Sequence, residues 1–342
     1  TPTAIMIGTG AAARAGILIK DAQALETAHR VDTVILDKTG TLTEGRPSLT
    51  ATVAHGIPEA ELLWIAASAQ SGSEHPLARA ILDAATQVEG DKKELFQPTD
   101  FQSLTGRGLS ATVLGREIIV GNRRLMDDSG IDTGSLDTRA QNLEKDGKTV
   151  MWVANTGAPS AALGLLAVSD PVKAESAPAV SILRRLGVEP IMITGDNARV
   201  GASVGRAVGI GKVLAETLPE DKAAKAKQLR EQGHIVAMVG DGINDAPALA
   251  AADVGIAMGT GTDIAMETAG ITLMRGDPRL IASAIHVSRA TYRKIRQNLF
   301  WAFIYNVIGI PLAAFGFLSP VVAGAAMAFS SVSVVTNSLL LR

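Results

Sequence analysis

Four short apolar runs rich in Val and Ile recur along the chain with helical patterns between them: Val34-Ile35-Leu36, Ile191-Met192-Ile193, Ile235-Val236-Ala237-Met238-Val239 and Val254-Gly255-Ile256-Ala257. That alternation is the mark of a parallel sheet wrapped by helices. Three of the runs end in acidic or polar clusters: Asp37-Lys38-Thr39-Gly40-Thr41, Thr194-Gly195-Asp196 and Gly240-Asp241-Gly242-Ile243-Asn244-Asp245. In doubly wound folds the ligand sits at the carboxyl ends of the strands, so these clusters are expected to converge in space. Gly187, Gly233 and Gly242 punctuate helix ends and turns around them.

Residues from about Gly45 to Leu165 interrupt this scheme. They carry a helical start at Pro58, a glycine-rich stretch at Gly106 to Gly108 and strand patterns such as Ile118-Ile119-Val120. This texture predicts an inserted α+β domain, with Asp170-Pro171 marking the return to the first. At 342 residues the chain exceeds the usual size of one core, as an insertion requires.

Near the C-terminus, Leu299 to Leu318 and Val321 to Leu341 each give about 20 residues without a charge, enough to cross a hydrocarbon core. Ser319 and Pro320 are expected to form a tight turn between them. Arg289, Arg293, Lys294 and Arg296 precede the first segment and Arg342 follows the second, which predicts a hairpin with both ends in the cytoplasm. Composition agrees with a mixed chain: 47% hydrophobic and 19% charged residues is apolar for a soluble protein and polar for a full transporter. A net charge of -2 without runs of like charge excludes an electrostatic nucleic-acid surface, and the lack of cysteine excludes disulfides and thiolate metal sites within the chain. The opening TPTAIMIGTG is already apolar and begins without Met, so residue 1 is expected to be interior to a longer protein.

Asp37 follows an apolar strand and precedes a run dense in hydroxyls, backbone amides and one glycine. A carboxylate so placed can attack phosphorus and form an acyl phosphate. Phosphoryl transfer is mostly positioning and charge neutralisation, so the site needs Mg²⁺, a cation and hydroxyl or amide donors. Thr194 offers a hydroxyl, Lys222 an ammonium, and Asp241 with Asp37 hard oxygen ligands. Asn244 and Asp245 are expected to hold the phosphate loop and the lysine in place. Singly, each piece has a plainer reading as a helix cap, a solvated lysine or a turn. It is their order, each at a strand end, that points to chemistry.

These motifs resemble those of P-type ATPases. Asp37-Lys38-Thr39-Gly40-Thr41-Leu42-Thr43 matches the phosphorylation motif, Thr194-Gly195-Asp196 the second motif and Gly240 to Asp245 the hinge motif. The resemblance implies a haloacid dehalogenase-like doubly wound parallel sheet as phosphorylation domain, an inserted α+β nucleotide-binding domain and a C-terminal transmembrane hairpin. It implies Asp37 as the phosphorylated residue, the Thr39 backbone and Asp241 as Mg²⁺ ligands, Thr194 and Lys222 as phosphate ligands, and Thr39, Asp196 and Asn244 among the nucleotide-binding residues. Soluble phosphatases of that fold carry a second Asp two residues after the nucleophile. Thr39 stands there instead, so the phosphoenzyme is expected to persist.

The inserted region is similar to the nucleotide-binding domain of the heavy-metal branch. Ser73-Glu74-His75-Pro76 and Gly106-Arg107-Gly108 match its ATP contacts, and Gly121-Asn122 resembles a further element. Physically, His75 can stack on a purine, Glu74 can accept from an amino group, and Gly106 and Gly108 permit close backbone approach to phosphates. The expected boundaries are 1–24 for a membrane-helix end and stalk, 25–45 and 166–280 for the phosphorylation domain, 46–165 for the nucleotide-binding domain, 281–298 for a stalk and 299–342 for two membrane helices.

Tyr305, Asn306, Met327 and Ser331 bring polar or sulfur-bearing groups into the two apolar segments, where such residues are functional candidates. A thioether favours Cu⁺, and neither segment carries the acid or lysine that a zinc path would use. The pattern resembles the copper-transporting subgroup, which implies Cu⁺ as cargo, a lipid environment in a plasma or inner membrane and a copper chaperone as partner. It also implies an upstream part holding the Cys-Pro-Cys helix, other membrane helices and the actuator domain. A zinc or cadmium pump, a soluble phosphatase of the same fold with an apolar tail and a non-catalytic nucleotide-binding regulator remain as alternatives, and Met327 and Ser331 have a plainer reading as packing residues.

Overall fold

A computed structural model describes residues 2–73, 75–87, 95–317 and 319–341. It divides into two compact units: Thr1–Asp37, Glu175–Ile191 and Glu220–Arg342 form one, and Lys38–Ala174 with Met192–Pro219 the other.

In the first unit the strands Thr33–Asp37, Val236–Gly240 and Val254–Met258 are buried at every position. Burial on both faces explains why they read as unbroken apolar runs, the pattern of a covered parallel sheet. Val236–Gly240 pairs in parallel with Thr33–Asp37 on one side and Val254–Met258 on the other, and Ile271–Leu273 continues the ladder. Val239 lies opposite Leu36, so Asp37 and Asp241 leave neighbouring strands at the same end of the sheet. The parallel array has an antiparallel edge. Ile17–Ile19, inside the stretch read as membrane-helix end and stalk, pairs with Ile271–Leu273, while the preceding helix Pro2–Arg14 stops short of it. A three-residue strand is too short to declare a period of its own.

The helix Pro219–Glu231 presents Lys222 from its first turn. Proline opens it where a missing N–H costs nothing, and Glu220 and Asp221 favour the positive end of the helix.

The longest element is the 36-residue helix Arg279–Ala314, about 54 Å at 1.5 Å per residue. It joins the stretch read as stalk to the first apolar segment without a break. Its side chains are buried at Ile281, Ala284, Ile285, Thr291 and Asn298, and beyond that point the apolar ones lie open. Between the helices, Ser319 caps the second by accepting from the Val322 N–H, and Pro320 is the first residue of helix Pro320–Leu339. The pair expected to turn the chain therefore starts a helix. Both helices are long and apolar enough to cross a membrane. Leu318 and Arg342, which closed the predicted segment and its basic flank, lie outside the described residues.

In the second unit a six-stranded antiparallel sheet runs from Ser48–Ala54 through Ala161–Ser169, Thr149–Asn155, Arg116–Gly121 and Gly108–Val113 to Thr99–Leu104. Neighbouring residues alternate between two cores, as a period of two demands. Ile118, Val120, Val153 and Leu166 join Leu62, Ile65 and Ile81 of the helices Glu59–Gln70 and Pro76–Gln87. Ile119, Trp152 and Leu165 join Met126 and Leu143 of the helices Arg123–Asp128 and Asp137–Lys145. This is an α+β layer with helices on both faces.

Candidate active site

Three charges meet at the strand end of the first unit. Lys222 Nζ donates to Asp37 Oδ1 and to Asp245 Oδ1, each at 2.7 Å, and all three side chains are buried. Asp37, Asp241 and Asp245 bring carboxylate oxygens within 4.8 Å of one another. Local geometry explains how Asp245 reaches in. A short 3₁₀ turn, Ile243–Asp245, folds it back so that its Oδ2 accepts from the Asp241 and Gly242 N–H groups. Gly240 leaves the room, since a Cβ there would lie 2.6 Å from that of Asp245. The backbone of Asp241 is held in turn by the Thr262 N–H at 2.7 Å.

The electrostatics follow from burial. Loss of water, then the Asp245 carboxylate, push the Asp37 carboxyl up to about 7 against the pull of Lys222. Burial alone would lower the Lys222 ammonium, but Asp37 and Asp245 hold it above its ordinary value.

The second unit holds the remaining motif residues. Lys38 ion-pairs with Asp196 at 2.5 Å, and Asp196 also accepts from Thr194 Oγ1 at 3.0 Å and Thr149 Oγ1 at 2.9 Å. Burial would raise the Asp196 carboxyl, but Lys38 and these hydroxyls hold it below its usual range. Asp196, expected near the bound nucleotide, thus has three partners within the protein. The loop after Asp37 is pinned at both ends. Lys173 Nζ donates to the Gly40 carbonyl at 2.7 Å, and Thr43 Oγ1 donates to the Lys38 carbonyl and to Asp170. Thr39 adopts an extended conformation and is half-buried.

Of the expected nucleotide contacts, Glu74 lies outside the described residues. His75 is exposed, and its Nδ1 accepts from the Leu77 N–H at 3.2 Å, which leaves the ring proton on Nε2. The glycines gain a second explanation. Gly108 and Gly121 pair across two strands, and a Cβ on either would fall 2.1 to 2.2 Å from a carbonyl oxygen of the facing chain. Close approach of strand to strand accounts for both. Asn122 caps the next helix at Leu125 N and donates to the Gly106 carbonyl. Asn244 is exposed.

In the apolar helices Met327 is 72% exposed and Ser331 is also exposed. Asn306 donates to the Ala302 carbonyl of its own helix, and Tyr305 is half-buried. They do not form an enclosed cluster among the described residues.

The sequence pointed to Asp245 only as a support, to Thr43 only as the end of the Asp37 motif and to Asp170 only as a domain boundary, and gave no sign of Lys173 or Thr149. The acidic run at Gly240 to Asp245 was the available signal for Asp245. Lys173 and Thr149 carry no local signal, because their partners Gly40 and Asp196 lie far off in sequence.

Residues 31–253, which include Asp37, Lys222 and Asp245, match the haloacid dehalogenase-like hydrolase family. The chain belongs to that family. The resemblance to P-type ATPases holds across its whole length. It is 52% identical over 343 residues to the copper-exporting P-type ATPase of Bacillus subtilis and 49% identical over 342 to that of Staphylococcus saprophyticus, covering 100% of this chain and 42% of each relative. The chain thus spans about two fifths of the length of these relatives. Among solved structures, a zinc-transporting PIB-type ATPase in an E2.Pi state superposes with a TM-score of 0.71 at 38% identity, covering 99% of this chain and 54% of that one. The catalytic domain of the CPx-ATPase CopB-B gives a TM-score of 0.63 at 27% identity, over 81% of this chain and 96% of that one.

Proposed function

We propose that this chain is the ATP-hydrolysing and C-terminal membrane part of a heavy-metal P-type ATPase, with Asp37 as the carboxylate phosphorylated by ATP and Cu⁺ as the exported ion. The observation that carries the reading is the buried Lys222 shared between Asp37 and Asp245 beside Asp241. A carboxylate locked to a lysine in a dry strand end is positioned and kept from solvent. The lysine then offers its charge to whatever anion Asp37 meets.

The donor set fits Mg²⁺: three carboxylates converge on hard oxygens with one ammonium among them, a surplus of negative charge that a divalent cation neutralises. Asp37 and Asp241, with the Thr39 backbone, would hold it. When bound, Mg²⁺ offsets charge on the transferred phosphoryl group. The chain's own groups do the rest. Lys222 holds Asp37 in place, Asp245 holds Lys222 and ties the Asp241 turn, and Lys38 with Thr194 keeps Asp196 ionised. Nucleotide contact is assigned to His75 through its Nε2–H, with Glu74, Gly106 and Gly108.

Export of Cu⁺, an upstream part with the actuator domain, a copper chaperone and cytoplasmic catalytic domains are parts of the same proposal, supported by the relatives' names and by the uncharged helices. Incubation with γ-labelled ATP should give an acid-stable, hydroxylamine-labile label that is lost in Asp37→Asn. Label that survives the substitution would remove Asp37 from the role. The zinc reading draws on the PIB-type structure. ATPase stimulation of the full-length protein by Cu⁺ and not Zn²⁺ would decide against it.

A further inference from the structure

Where helix Arg279–Ala314 passes from buried to open side chains, it lines a cavity of about 560 Å³. Arg289, Arg293, Arg296 and Phe300 follow one another at helical spacing along its wall, with Tyr292 and Trp301 beside them and His29 supplied by the turn after helix Ala22–Ala28. The three arginines differ in what they are free to do. Arg289 is committed: its guanidinium donates to the backbone carbonyls of His29, Val31 and Leu186. Arg293 and Arg296 are exposed, no ion pair reaches them among the described residues, and no carboxylate lines the cavity. His29 stacks on Tyr292 with ring centres 3.6 Å apart and closes one side.

The floor of this cavity continues as an apolar track. Phe300, Phe303 and Val307 repeat at spacings of three and four from Arg296, and all three are exposed. Guanidiniums grip phosphate oxygens in pairs, and a Trp ring sits at headgroup depth. We propose that the cavity holds the phosphate of an anionic glycerophospholipid, with its acyl chains lying along Phe303 and Val307. This rests on the membrane reading of the two helices. A soluble phosphate or nucleotide would use the arginines equally, but it has no group that would occupy the apolar track.

The test compares retention of phosphatidylglycerol and phosphatidylcholine by the purified full chain, released from mixed nanodiscs and counted by native mass spectrometry. The chain should keep one phosphatidylglycerol about tenfold in preference to phosphatidylcholine. Each of Arg293→Gln and Arg296→Gln should lower that preference by about fivefold, while Arg184→Gln, at an exposed position near the end of helix Ser176–Arg185, should leave it unchanged. Equal retention of the two lipids, or an unchanged preference in the double variant, would overturn the proposal. So would displacement of the lipid by millimolar phosphate or ATP, which would make this a soluble-anion site. Should the double variant fail to fold, the preference of the unaltered chain must weaken between low and high salt, and salt-independence counts against the site. Release of the chain from vesicles by alkaline carbonate would instead defeat the membrane reading itself.

Discussion

The strand end at Asp37 and the helix pair that closes the chain each invert the usual distribution of groups, in opposite directions. At the strand end two carboxylates and an ammonium are buried, and they are tolerable there because they neutralise and hydrogen-bond one another. In the helices, Val321, Phe315 and Met327 are more than 70% exposed. A water-soluble surface rarely carries so much contiguous apolar area. The first inversion is internal and is compensated in part by Lys222, with negative charge left over. The second has no compensation within the described residues and calls for an apolar neighbour of some kind. The lesson is that function lies where burial and polarity disagree, and that the sense of the disagreement separates a polar cluster held inside the fold from an apolar surface left open.

The comparison can be broken at its strongest point first. Asp37→Asn should lower phosphoenzyme formation by at least about a thousandfold, read as acid-stable label, because it removes the carboxylate proposed to attack. Lys222→Ala leaves two buried carboxylates without their cation. It should cost about 3 to 5 kcal/mol in urea denaturation, and the Asp37→Asn, Lys222→Met pair should recover part of that loss. Equal stability of the single and paired variants would mean that the charges are solvated.

The helix pair is tested by a charge of the opposite kind. Phe329→Arg, near the middle of helix Pro320–Leu339, should cost about 3 kcal/mol of apparent membrane insertion, whereas on a wet surface it would be nearly neutral. Insertion efficiency in microsomes distinguishes the two. Gly108→Ala separates structural from ligand-binding glycines. With a carbonyl 2.1 Å from the added Cβ, it should lower stability by about 2 kcal/mol even without nucleotide. A loss of ATP affinity at unchanged stability would return Gly108 to the phosphate.

The smallest effect concerns pH. The folded Asp37 carboxyl at about 7 lies above its unfolded value of 3.8, so ionisation disfavours the fold. The native protein should lose stability as pH rises from about 4 through 7. In EDTA, Asp37→Asn should therefore melt higher than the parent at pH 8, with the gap closing by pH 4. Added Mg²⁺ should narrow the gap at pH 8 by stabilising the parent.

Much of this was legible before any coordinates. Asp37 is marked by the apolar run before it and the hydroxyl-rich run after it, whereas Lys222, read with the strand ends, sits in the first turn of helix Pro219–Glu231. Asp245 was expected to hold the lysine, and it accepts from Lys222 Nζ at 2.7 Å. The Thr149 hydroxyl on Asp196 and the Lys173 ammonium on Gly40 were not visible at all. The pairing of Gly108 with Gly121 added a structural explanation for two glycines noticed for another reason.

The sequence by itself determined the sheet strands, the inserted α+β region and the two uncharged helices, because each rests on a pattern completed within a few residues or a few turns. Only the tertiary structure decided that Lys222 meets Asp37 across 185 positions, that Asp245 completes the cluster and that three arginines gather with His29 at a helix exit. Charges pair, and carboxyls rise or fall in pKa, according to distance and burial. Those quantities exist only once the chain has closed on itself.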